Sequence, residues 1–173
     1  LIILLTTIVY SNTLHNEFVY DDVPTIVHNR FIRNTDNIIM FFTKSIISTE
    51  LNFKTGYRPL TMTSFVMNYK LGGLNVIGYH VVNILFHTAN AVLIYFLIIL
   101  LLLISENKSM NVHLVALFVS LLFAVPPINS ETVNYTWQRS ELLSMFFYLL
   151  SIMILIKTLH SHSKYYVFSI IEF

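Results

Sequence analysis

The chain has 173 residues, of which 55% are hydrophobic and only 11% charged, and its mean hydropathy is +0.69; an ordinary soluble globular domain is excluded. Ten basic residues against nine acidic ones leave a net charge of +1 with no basic run, so nucleic acid is not an expected partner. With no cysteine, disulfides, thiolate metal sites and cysteine nucleophiles are excluded too.

Residues 1–10 open Leu-Ile-Ile-Leu-Leu with neither a basic flank nor a small-x-small cleavage site. They read as the last turns of a transmembrane helix and not as a signal peptide. Residues 11–76 are long and polar enough for a small subdomain. Inside it, Asn34-Thr35-Asp36 offers N-cap chemistry before Asn37 and the apolar run 38–42, a short helix expected to lie in the membrane interface. A second helix is expected to start at Pro59 and stop at Gly72-Gly73.

The 27 residues from 78 to 104 carry no formal charge and 91–104 are apolar without a break, enough to cross about 30 Å of hydrocarbon. The expected spans are 77–104, 112–125 and 142–156, the last two short but tolerable with tilt. A further span begins in 165–173, so the chain is read as truncated at both ends. Lys108, Lys157 and Lys164, with His160 and His162, place the connections 105–111 and 157–164 on the cytoplasmic side. The connection 126–141, whose one basic residue is Arg139, then shares the outer face with 11–76. The fold class is all-α, a polytopic helical membrane protein.

Asp21-Asp22 stands out in a chain that avoids charge. Two adjacent carboxylates repel and resist leaving water. Asp-Asp-Val-Pro is also good turn chemistry, so a solvated turn and a functional site are both open. His80, Asn83, His87 and Asn90 are spaced by three, four and three, which confines them to about 80° of one helix face. Such a stripe serves either helix–helix hydrogen bonding or a polar cavity. A metal is disfavoured, because two turns separate the histidines by about 10 Å.

Arg58, just before Pro59, sits at the mouth of a helix and suits a phosphate, although it also reads as an exposed loop arginine. The connection 126–141 supplies Arg139 and Glu131, and its Trp137 and Tyr135 read either as an interfacial belt or as a substrate platform. Asp21, Asp22, Arg58, His80 and this connection gather on one face. A polar cavity with carboxylates and arginines there suits reaction of a lipid phosphate with a hydrophilic acceptor.

Several strings then carry a resemblance: Phe18-Val19-Tyr20-Asp21-Asp22, Tyr57-Arg58-Pro59-Leu60, Gly72-Gly73-Leu74-Asn75 followed by Gly78-Tyr79-His80, and Trp137 with Arg139-Ser140-Glu141-Leu142-Leu143. Over about residues 11–156 the chain resembles the N-terminal membrane region of transmembrane proteins with tetratricopeptide repeats. That family has a GT-C fold and includes protein O-mannosyltransferases of the endoplasmic reticulum and many bacterial relatives. The resemblance implies inverting transfer of a sugar from a polyprenyl-phosphate donor to a protein hydroxyl, on the outer face of the bacterial inner membrane or of the endoplasmic reticulum membrane. It gives the catalytic acid to the place of Asp21 and Asp22, with Asp21 favoured as base and Asp22 positioning acceptor or metal. Charge and side of the membrane make Arg58 and Arg139 the donor-phosphate contacts, while His80, Asn83, His87 and Glu131 line the polar cavity. No cofactor is expected beyond the lipid-linked sugar, and a divalent cation is left open. The family's His-Pro at the end of the third span is absent, since this chain has Val125-Pro126-Pro127. A transporter-like protein is disfavoured by the wholly apolar 91–104. A non-catalytic anchor for a repeat domain leaves the acidic pair without a purpose.

Overall fold

In the computed structural model residues 1–44, 57–105 and 111–171 are described, with side chains to residue 160. The expected turn at 105–111, with Lys108, lies mostly outside them. The helices are α1 (Ile2–Tyr10), α2 (Ile38–Thr43), α3 (Pro59–Gly72), α4 (Val76–Ile104), α5 (Val112–Ala124), α6 (Ser130–Asn134) and α7 (Arg139–Ile171), and the described residues include no strand. Local chemistry sets several ends. Pro59 opens α3, and Gly73 closes it at φ 61° while its N–H reaches Tyr69 O at 2.7 Å, a left-handed stop that glycine takes without a Cβ clash. Asn34 and Asn75 cap the starts of the turn leading to α2 and of α4, accepting from Asp36 N and Ile77 N.

Two helices, Val76–Ile104 and Thr136–His160, are long and apolar enough to cross a membrane. A third span results if α5 and the following helical segment Pro127–Asn134, bent by 50°, count as one. The sequence reading is corrected at 157–164, where a loop was expected. There α7 runs unbroken through Lys157 to Ile171, because no glycine or proline between 139 and 171 interrupts it.

The bundle buries several polar side chains and turns many large apolar ones outward. Asn83, His87, Asn90 and Ser120 are buried, while Leu85, Leu103, Leu114, Phe118 and Ile154 are exposed, the distribution that a lipid environment requires. α4 packs on α1, α5 and α7, and fully buried Ala91 and Ala124 let the backbones approach beside Ile2. α1 and α5 finish at the end of the bundle where α4 and α7 begin. There the segments 11–44, 57–72 and 125–138 form a cap whose core holds Ile26, Ile32, Phe41, Phe65, Tyr79 and Trp137, each buried side chain contributing roughly 1.5–3 kcal/mol.

Candidate functional site

The polar stripe of α4 works as a zip. His80 Nε2 meets Asn16 O at 3.0 Å, Asn83 Nδ2 donates to Val133 O and Tyr135 O at 3.2 and 3.3 Å, His87 Nε2 meets Ala124 O at 3.0 Å, and Asn90 Nδ2 donates to Leu142 O at 3.0 Å. Facing carbonyls, both Nε2 atoms act as donors. Each side chain thus satisfies a backbone oxygen on a different segment, the hydrogen-bonding use of the stripe. The expected single polar cavity is divided accordingly. His80 and Asn83 are enclosed, whereas His87 and the exposed Glu131 line two different hollows.

Arg139 is fully buried. Its Nε donates to Asn83 Oδ1 at 2.9 Å, Nη1 to Ser64 Oγ at 3.0 Å and Asn68 Oδ1 at 2.6 Å, and Nη2 to Tyr79 O at 2.9 Å. The guanidinium carbon lies 4.7 Å from the Phe65 ring centre and 5.7 Å from that of Tyr79, within cation–π range. Four of its five N–H donors are therefore spent on neutral partners, tying α3 and α4 to the start of α7. Asn68 completes the tie by donating Nδ2 to Gly78 O at 2.9 Å. Sequence reasoning gave Ser64 and Asn68 no role. The available signal was their spacing of four, which sets two polar groups on one face of α3 beside Phe65.

The acidic pair occupies a tight turn against the same region. Tyr20 has φ 48°, a left-handed conformation that costs a non-glycine residue about 1–3 kcal/mol. Asp22 N closes the turn on Val19 O at 2.9 Å. The Asp22 carboxylate is buried and accepts from Trp137 N at 2.7 Å through Oδ1 and from Val19 N at 3.4 Å through Oδ2. Burial pushes its pKa up to about 6, against the opposing pull of the Val19, Trp137 and Thr136 N–H groups and the Arg139 charge. Asp21 differs from its neighbour. It is half-buried, its N–H donates to Tyr135 Oη at 2.9 Å, and its carbonyl accepts from Thr25. The Tyr135 phenol is pushed up to about 12, by burial first and by the Asp21 and Asp22 charges among the further causes, so it stays a neutral hydroxyl.

Arg58 is half-buried at the start of α3. Its Nη1 donates to Ser140 Oγ at 2.7 Å and its guanidinium lies 5.0 Å from the centre of the Trp137 indole. Trp137 is itself 7% exposed, a core residue and not part of an interfacial belt. The structure therefore joins Asp22, Trp137 and Arg58 in sequence: the carboxylate on the tryptophan N–H, the guanidinium on its ring. Among the described residues no three histidine or acidic side chains gather as a metal site.

Helical spans, a capped polar end and an acidic turn define an all-α, polytopic membrane protein. The chain is 32% identical over 95% of its length to a protein O-mannosyl-transferase of Caenorhabditis elegans, F38B6.6. It is 35% identical over 86% of its length to the Homo sapiens protein O-mannosyl-transferase TMTC3, and 34% identical over 82% to the Mus musculus protein O-mannosyl-transferase TMTC4. By sequence the chain is similar to a part of these protein O-mannosyl-transferases, since it spans 24%, 16% and 20% of the three relatives. No protein-family model and no solved structure matches it.

Proposed function

We propose that this chain carries the acidic turn of a GT-C-type membrane glycosyltransferase that moves a sugar from a polyprenyl-phosphate donor to a protein hydroxyl. The observation carrying this reading is the division of labour in the pair: the Asp22 carboxylate is latched to Trp137 N while Asp21 stays accessible. Asp21 is then the base. It takes the proton of the acceptor hydroxyl as that oxygen attacks the anomeric carbon, and the bond from that carbon to the phosphate oxygen breaks with inversion. The leaving polyprenyl phosphate keeps the electron pair, and Arg58 on the far side of Trp137 offsets its negative charge. Arg139, enclosed by neutral partners, holds the frame. The acidic turn faces the lumen of the endoplasmic reticulum, or the periplasm in a bacterial relative.

Relatives named protein O-mannosyl-transferases support mannose as the sugar. The test is an Asp21→Asn/Asp22→Asn double variant of the full-length protein, compared with wild type for membrane insertion and for O-mannosylation of an acceptor. Loss of transfer with normal insertion is expected. Unchanged transfer removes the acidic pair from the chemistry.

A further inference from the structure

A second hollow, of about 570 Å³, lies among α4, α5, α6 and α7, and Asn90, Phe123, Thr132, Glu141, Ser144 and Tyr148 are among its lining residues. Its volume falls within the roughly 300–1,000 Å³ of small-molecule sites. The acidic turn contributes nothing to it. Asn90 is fully buried and fixed by its bond to Leu142 O, yet its Oδ1 has no hydrogen-bond partner among the described residues. A buried acceptor left unpaired is costly, so a ligand donor that reaches it is favoured. His87, also in the wall, spends its donor on Ala124 O. With Nε2 protonated, Nδ1 is left as an acceptor.

The chemistry of the lining selects the ligand. Asn90 Oδ1 and the Glu141 carboxylate accept, the Thr132 and Ser144 hydroxyls do either, and among the described residues no lysine or arginine lines the hollow. A phosphate would meet a carboxylate with no cation to offset it. A group rich in hydroxyl donors is matched instead, with Phe123 and Tyr148 as apolar walls. Glu141 stands in the first turn of α7, and Ser144, Met145 and Tyr148 follow the helix toward its apolar stretch. A polar head at Glu141 therefore leaves an attached hydrocarbon running along exposed α7.

We infer that this hollow is a binding site for a neutral glycosyl group, separate from the acidic turn and independent of the transfer reading. The full-length protein in phosphatidylcholine nanodiscs is photolabelled with octyl β-glucoside carrying a diazirine in its chain, and adducts are mapped by mass spectrometry. Labelling within residues 144–148 is expected, competed by unlabelled octyl β-glucoside but not by octyl phosphocholine or octylamine. Asn90→Leu, and Ser144→Leu at an exposed position that leaves packing intact, should each reduce it about fivefold, one hydrogen bond's worth. Competition by free glucose assigns recognition to the sugar alone; its absence assigns it to a lipid-borne sugar. Labelling spread over the lipid-facing surface, equal competition by the phosphocholine or the amine, or indifference to both variants overturns the site.

Discussion

Replacing Arg139 with glutamine separates a structural arginine from a phosphate-binding one. The change removes a guanidinium whose donors serve Asn83 Oδ1, Ser64 Oγ, Asn68 Oδ1 and Tyr79 O. It also removes the ring contacts with Phe65 and Tyr79. A glutamine side chain is too short to reach the same set, so several buried acceptors lose their donor at about 1–3 kcal/mol each. Relief from burying a cation offsets part of this, leaving a net loss of about 3 kcal/mol. At about 2–4 °C per kcal/mol for a protein region of this size, the thermal midpoint should fall by roughly 10 °C. The assay is the fraction of detergent-solubilised full-length protein that remains monodisperse after heating. A midpoint within about 2 °C of wild type, together with lost transfer, would refute the reasoning and return Arg139 to the donor phosphate.

Further expectations follow from the acidic turn and its neighbours. Asp22 has its folded pKa raised to about 6, so its neutral form favours the fold. That contribution is complete below the ordinary carboxylate pKa of about 4 and is lost as pH rises through 6. Asp22→Asn stays neutral throughout, so relative stability should move in its favour by about 2 kcal/mol from pH 4 to pH 7; parallel midpoint–pH curves for the two proteins would contradict this. Tyr20→Gly, at φ 48°, should be neutral or slightly stabilising, whereas Tyr20→Val should cost about 1–3 kcal/mol, as read by thermal midpoints. Arg58→Gln should raise the KM for the lipid-linked donor about tenfold or more while the protein accumulates normally; an unchanged KM removes Arg58 from the phosphate.

What was legible in the sequence is what local chemistry decides. Pro59 and Gly72-Gly73 bounded α3 because proline fixes φ at a helix start and glycine tolerates the left-handed stop. The stripe His80, Asn83, His87 and Asn90 was visible from its period alone, but its bonding use was not, since the carbonyls it meets lie on four other segments. Arg139 shows the same limit. Its side-chain partners Ser64, Asn68 and Asn83 stand 56 to 75 residues away in the chain, and only the assembled cap reveals that they enclose it. The asymmetry between Asp21 and Asp22 was hidden for a related reason: the Trp137 N–H that latches one carboxylate lies 115 residues away. Lys157 and Lys164 pointed to a loop because charge interrupts an apolar run, but charge does not interrupt helical hydrogen bonding, and α7 continues.

The most direct measurement compares Asp21→Asn with Asp22→Asn, each in the full-length protein, for kcat and KM in sugar transfer to an acceptor peptide. With Asp21 as base, Asp21→Asn should lower kcat by about 10²–10⁴ with KM and thermal midpoint unchanged, the range for loss of a general base. Asp22→Asn should keep kcat within about tenfold of wild type, because an asparagine oxygen still accepts from Trp137 N. The reverse pattern, with transfer lost in Asp22→Asn and retained in Asp21→Asn, contradicts the assignment of Asp21 as the base.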